Sequence, residues 1–282
     1  ALHVVFQDRG SLFGHMSMIR FYSNSWLIHH HAASKKGPIM AGLEVLDQVG
    51  SYVNEFHTLH STHMDFVICY FRPDNRFPNR VFGGVAKDIG NPKGASLDTF
   101  AYLHLSDEHG KDTVPYQMFP AGPADLKELE RFYESYSGGL MLDALDLKVD
   151  EKKGDELSAE YLKHGFKRQL HLFALKQDDS LKAVFMVTLS DLGLNLSNLT
   201  SSVHAFVLDP DGLSVQTLKS AALHLRRHYG RDDLPLLVFP SEYAESRSLP
   251  FEKKYTLWVL NLQFLDGYFK SVRNTFKRIP HG

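Results

Sequence analysis

With 282 residues, 43% hydrophobic and 23% charged, the chain has apolar content for one large core or two of ordinary size. A formal net charge of -2 excludes nucleic-acid binding driven by bulk electrostatics, and the lone Cys69 excludes an intrachain disulfide framework. No apolar run approaches the ~20 residues needed to span a bilayer, so the sequence predicts a soluble protein of the reducing cytoplasm. The 16 histidines should turn the net charge positive below about pH 6 to 6.5. The chain opens ALHVVFQDRG, with neither an initiating Met nor a signal sequence, and starts inside a strand pattern. The expectation is that sequence upstream of it was removed or never resolved.

The loose alternation from His3 to Gln7 ends in Asp8-Arg9-Gly10, a turn signal. Phe13 to Tyr22 and Trp26 to Ala33 read as two strands of a hairpin joined through Ser23 and Asn24. After Ser34, Lys35, Lys36, Gly37 and Pro38, the residues Leu43, Leu46, Val49 and Val53 repeat at helical spacing. FVICYF, Phe66 to Phe71, is a short continuous apolar run that predicts a buried strand. Pro73, Pro78 and the Gly83-Gly84 pair then predict a loop with at most a short helix, and Gly83 to Asp88 could start a strand. Asp98 to Leu105 is a further strand.

Residues 106–123 are polar and hold Gly110, Pro115, Pro120 and Pro123, the composition of a linker between a domain at 1–105 and one at 124–282. The second part begins with a helix over ADLKELERFYESY, with shorter helices at Leu140 to Leu145 and Leu157 to Lys163. Three strands follow, at Arg168 to Lys176, Leu181 to Leu189 and Ser201 to Leu208. Val203 to Val238 then reads as strand, Asp209-Pro210-Asp211-Gly212 turn, amphipathic helix and second strand, with Leu218, Ala221, Ala222 and Leu225 on one helix face. A turn of this kind leaves helix N–H groups for an anion or ligand. Tyr255 to Leu262 is a last strand and Gly267 to Lys277 a last helix.

Trp26 to Phe71 and Val203 to Val238 therefore echo one another as strand, turn, amphipathic helix, strand. On that order the chain resembles the GNAT superfamily of acyl-CoA N-acyltransferases, whose domains run two helices, three antiparallel strands, a strand–helix–strand core and closing strands. The resemblance implies an α+β fold of two GNAT-like domains, each a mixed, mostly antiparallel sheet flanked by helices, with the first domain lacking its opening helices. It further implies acyl-CoA, such as acetyl-CoA, as cofactor, transfer of the acyl group to a small-molecule or peptide amine, and no metal. In the family a glycine-rich turn before the core helix holds the pyrophosphate of coenzyme A through backbone N–H groups. The equivalent turn of the first domain offers Lys35, Lys36 and Gly37, although Pro38 removes one N–H. Arg72 and Arg76, after the next strand, would reach the same cleft. The turn of the second domain carries Asp209 and Asp211, which would repel a pyrophosphate. The competing reading of the same fold is a non-catalytic ligand-binding or regulatory module with a protein partner.

The residues alone do not name a catalytic group; His31, Glu242 and Tyr243 are positional candidates for a base. On a regular strand His29 and His31 share a face, a two-imidazole arrangement that can chelate zinc, with His57, His60 and His63 further on. Arg72, Arg76 and Arg80 recur every fourth residue, a spacing similar to the cyclic-dinucleotide arm of the PilZ family, but without that family's D/N-x-S-x-x-G stretch. There is no G-x-S-x-G elbow for a serine hydrolase.

Overall fold

The computed structural model describes residues 1–34, 41–106, 115–149, 156–191, 194, 198–230 and 232–277. In chain order the first elements are β1 (Leu2–Asp8), β2 (Ser11–Tyr22), β3 (Ser25–Ala33), α1 (Ala41–Phe56) and β4 (Phe66–Phe71). There follow α2 (Arg76–Pro78), a π-helical turn at Asn79–Gly83, α3 (Gly84–Ile89), β5 (Ala95–Leu105) and β6 (Gln117–Pro120). Next are α4 (Pro123–Tyr136), α5 (Met141–Ala144), α6 (Glu156–Lys163), β7 (Arg168–Gln177), β8 (Ser180–Ser190) and β9 (Val203–Val207). The chain closes with α7 (Val215–Leu225), β10 (Leu234–Phe239), α8 (Ser241–Ser246), β11 (Lys253–Asn261) and α9 (Leu265–Lys277). The fold is α+β, with sheets that mix parallel and antiparallel pairs and carry helices.

Two compact units emerge. Unit 1 comprises Ala1–Leu97, Gly138–Asp146 and Leu257–Gly282; unit 2 comprises Asp98–Ser137 and Leu147–Thr256. Hence the first unit takes up α5 and the C-terminal α9, which a division of the sequence at 106–123 would assign to the second domain. Unit 2 in turn contains most of β5, which that division would assign to the first.

In unit 1 the strands run in the order β1-β2-β3-β4-β11. β1, β2 and β3 form an antiparallel meander, and β4 lies parallel to β3 because α1 carries the chain back across the sheet. The apolar stripe of α1, Leu43, Leu46, Val49 and Val53, is buried against Met16, Met18, Val67 and Cys69. Trp258, Leu260 and Leu262 of the C-terminal segment sit in that same core, and the Trp258 ring lies 4.9 Å from Phe82. The stretch after β4 is helical rather than a loop leading into a strand. Pro78 is the third residue of α2, where its missing N–H disturbs no intrahelical bond, and the Asn75 side chain accepts from Phe77 N at the helix start.

Unit 2 has the order β5-β10-β9-β8-β7-β6. Its chain path of helices α4 and α6, antiparallel β7, β8 and β9, then α7 and β10 is the order the GNAT resemblance implies. Leu218, Ala221, Ala222 and Leu225 of α7 are fully buried, as their spacing predicts. Within the stretch read as a linker, Gln117–Pro120 forms β6, pairing antiparallel with Lys176 to Phe173 of β7. β6 is the last strand of this order, so Pro120 removes no hydrogen bond from a strand interior.

Candidate functional site at the open end of a parallel strand pair

In unit 1 the pairing of β3 with β4 covers four residues, from Ser25↔Phe66 to Ile28↔Cys69. Beyond it β3 runs five residues further, to Ala33, and among the described residues its strand partner there is β2 on the other side. The register of β2 with β3 jumps here: Ser17 faces His30 while Met18 faces Ile28, leaving His29 as the extra residue of a bulge. A bulge bends its strand and increases the local twist. This one follows immediately on the last paired residue, Ile28, and so accounts for the parting of β3 from β4.

The bulge also decides where the histidines go. His31 pairs with the fully buried Met16 and faces the core side, whereas His30 pairs with Ser17 on the outer face. The His29 ring lies 4.6 Å from that of His30. The expected sharing of one face by His29 and His31 fails because the extra residue breaks the two-residue alternation.

On the core side of the opening, four residues converge. His31 Nε2 stands 3.3 Å from the carbonyl oxygen of Gly42, in the first turn of α1, and its ring centroid is 5.5 Å from that of Phe77 in α2. A Cβ on Gly42 would come within 3.3 Å of Ala33 Cβ and 3.5 Å of Phe77 Cζ, so the glycine permits this approach. Gly14 does the same on β2, where a Cβ would stand 3.1 Å from the Ala41 carbonyl oxygen. Burial, more than any charge, lowers the His31 pKa below 6.5; the Gly42 carbonyl opposes this and His15 adds to it. His31 is therefore neutral at physiological pH. With Nε2–H donating to Gly42, Nδ1 is the basic nitrogen.

Of the binding residues expected from sequence, Lys35, Lys36 and Gly37 lie outside the described residues, in the connection between β3 and α1. Arg76 opens α2 and adjoins Phe77, which brings it to the same end of the parallel pair. Arg72 forms an exposed, forked ion pair with Asp74, its Nε donating to Asp74 Oδ1 at 3.1 Å. Sequence reasoning missed Phe77, because the segment carrying it was read as a loop. A capping Asn75 two residues before it was the available signal.

Unit 2 presents the opposite picture. β9 and β10 stay paired from Val203↔Leu236 to Phe206↔Phe239, with no bulge and no parting. The turn after β9 is filled by its own side chains. Asp209 accepts from Lys182 Nζ at 2.6 Å and from Gly212 N at 2.8 Å, and the Ser214 hydroxyl accepts from Thr217 N at 3.0 Å. Arg247 donates to Pro210 O at 2.9 Å and to Asp211 Oδ1 at 2.8 Å. The Gly212 and Thr217 N–H groups, which the sequence left for an anion, are held by the turn's own carboxylate and hydroxyl. Glu242 accepts from Tyr136 OH at 2.9 Å, and Tyr243 OH donates to Leu213 O at 3.1 Å, with burial pushing the Tyr243 phenol up to about 12. Both are thus engaged within the unit. No described helix is long and apolar enough to cross a membrane.

No protein-family model matches the chain, and no curated protein matches it. Solved structures do align along most of its length. A tandem GNAT protein from the clavulanic acid biosynthesis pathway shares 12% identity, covering 91% of this chain and 81% of its own, with a TM-score of 0.42. A GCN5-related N-acetyltransferase from Sphaerobacter thermophilus shares 8% identity over 89% of this chain and 77% of its own, with a TM-score of 0.44. Another from Kribbella flavida shares 10% identity over 84% and 80%, with a TM-score of 0.38.

Proposed function

We propose that the chain consists of two GNAT-like domains and that unit 1 binds an acyl-CoA at the open end of β3 and β4, for transfer of the acyl group to an amine. The observation that carries this reading is the parting of a parallel pair after Ile28↔Cys69, directly beside the start of a helix. Two strands that separate in this way leave unpaired backbone groups that a pantetheine amide can satisfy. The helix start, with Lys35, Lys36 and Gly37 before it, favours a phosphate through its free N–H groups and dipole. Arg76 is the arginine assigned to the same anion, since Arg72 is already paired with Asp74.

When bound, acyl-CoA would supply a thioester whose carbonyl carbon the amine nitrogen attacks, forming an amide and releasing the thiol. Neutral His31, oriented by Gly42, is the residue proposed to accept the proton that the amine loses. Unit 2 is assigned no acyl-CoA, because the Asp209 carboxylate holds the position a phosphate would need.

Calorimetric titration with acetyl-CoA tests the binding, and mass spectrometry of a panel of small-molecule and peptide amines tests the transfer. Each charge-assisted hydrogen bond contributes roughly 1.5 to 3 kcal/mol, so Lys36→Ala/Arg76→Ala should weaken binding on the order of a hundredfold or more. Absence of heat with wild type overturns the reading. Binding without turnover of any amine would favour the non-catalytic regulatory module.

A further inference from the structure

The outer face of the unit 1 sheet carries an imidazole group that the acyl-transfer reading does not use. His3 on β1 and His15 on β2 are diagonal neighbours on that face, with His3 Nε2 standing 3.4 Å from His15 Nδ1. Their rings meet edge to face, with centroids 5.4 Å apart at 83°. On the other side of β2, His30 pairs with Ser17, as His3 does from β1. His3, Ser17 and His30 therefore form one row across three strands, and His15 lies one step along on the same face. His30 is near enough for its charge to act on His15.

A separation of 3.4 Å is long for a hydrogen bond between two imidazoles. It is the spacing of two ligand nitrogens on a tetrahedral ion, since bonds of about 2.0 to 2.1 Å at the tetrahedral angle put the nitrogens roughly 3.4 Å apart. We propose that His3 and His15 bind a divalent transition-metal ion of the tetrahedral, zinc class on the exposed face of the β1-β2-β3 meander, with His30 as third ligand. No three such side chains among the described residues converge as they stand. The pair is set, and His30 joins by rotation of its side chain while water completes the shell. The bulge at His29 contributes to this site as well, because it is what turns His30 outward. Such an ion would fasten the edge strand β1 to β2 and β3. The proposal is independent of the acyl-transfer reading.

The test is isothermal titration of the full chain, without an affinity tag, with zinc chloride, followed by cobalt absorption spectroscopy. One ion per chain is expected, with visible cobalt bands of tetrahedral intensity. His15→Ala should weaken binding by more than about tenfold, and His30→Ala should also weaken it, while His228→Ala should leave it unchanged. Should His15→Ala fold poorly by circular dichroism, His3→Ala on the exposed edge strand gives the same readout. Wild type that binds no ion, or wild-type affinity retained in both His15→Ala and His3→Ala, overturns the proposal.

Discussion

The carboxylate of Asp209 occupies the space beside Gly212: a Cβ built there would stand 2.2 Å from Asp209 Oδ2 and 2.8 Å from Lys182 Nζ. The turn is folded around its own anion. Its pKa lies below the ordinary 3.8, first because Lys182 donates to it and then because Gly212 N does. A depressed carboxylate stabilises the fold above its unfolded pKa, and the contribution disappears as pH falls through the lower folded value. Asp209→Asn should therefore cost about 1 kcal/mol at pH 7, with the difference from wild type shrinking in acid. Denaturant unfolding at pH 7 and pH 3 checks this, and acetyl-CoA affinity should not change.

The same carboxylate makes Gly212 intolerant of a side chain. In Gly212→Ala the methyl group would displace Asp209 from Lys182, so the variant should lose the pair and add strain, about 1 to 3 kcal/mol in all. A midpoint equal to that of wild type in urea would show that the turn rearranges freely.

At the unit 1 site, His31→Ala should lower any amine acylation by roughly 10²-fold or more, the usual contribution of a positioned base. Because burial lowers the His31 pKa below 6.5, the acid limb of the rate profile should lie below that value and vanish in His31→Ala. The same shift has a stability sign: the unfolded chain binds the proton more readily, so His31 destabilises the fold progressively as pH falls below 6.5. Rate profiles from pH 5 to 9 would decide it.

Deleting His29 removes the bulge. With the extra residue gone, Met18–Ile28, Ser17–His30 and Met16–His31 become consecutive pairs, so His30 and His31 keep their faces while β3 loses the bend that parts it from β4. Closing the gap between β3 and β4 should abolish acetyl-CoA binding, and proton–proton contacts across β2 and β3 in an NMR spectrum would show whether the pairing has become regular.

Trp258, 1% exposed against Phe82 and in the core of unit 1, comes from the far end of the chain. Trp258→Ala should cost about 3 to 5 kcal/mol. A fragment of residues 1–105 should stay unfolded by circular dichroism, because it lacks β11 and α9.

Local chemistry made much of this fold legible. The stripe of Leu43, Leu46, Val49 and Val53 and that of Leu218, Ala221, Ala222 and Leu225 each become the buried face of a helix, since burial periodicity needs no knowledge of the partner surface. At the second turn the carboxylates were readable too, and Asp209 is found accepting from Lys182 and Gly212 N while Asp211 pairs with Arg247. The helical run after β4 was not, because proline counts against a helix in general and only the cap at Asn75 shows that Pro78 falls in the first turn.

What tertiary structure decided was non-local. The extra residue at His29 can be seen only against the opposite strand, since a bulge is a mismatch between two chains of residues rather than a property of one. That mismatch opens β3 from β4, turns His31 toward Gly42 and sends His30 to the outer face. Membership of α9 in the first unit is similarly invisible along the sequence: its Tyr268 and Val272 join the core formed by Leu46, Val49 and Trp258, a meeting that no spacing along α9 specifies. Sequence determined which residues must be buried, because that follows from their own transfer from water; the fold determined which of them meet.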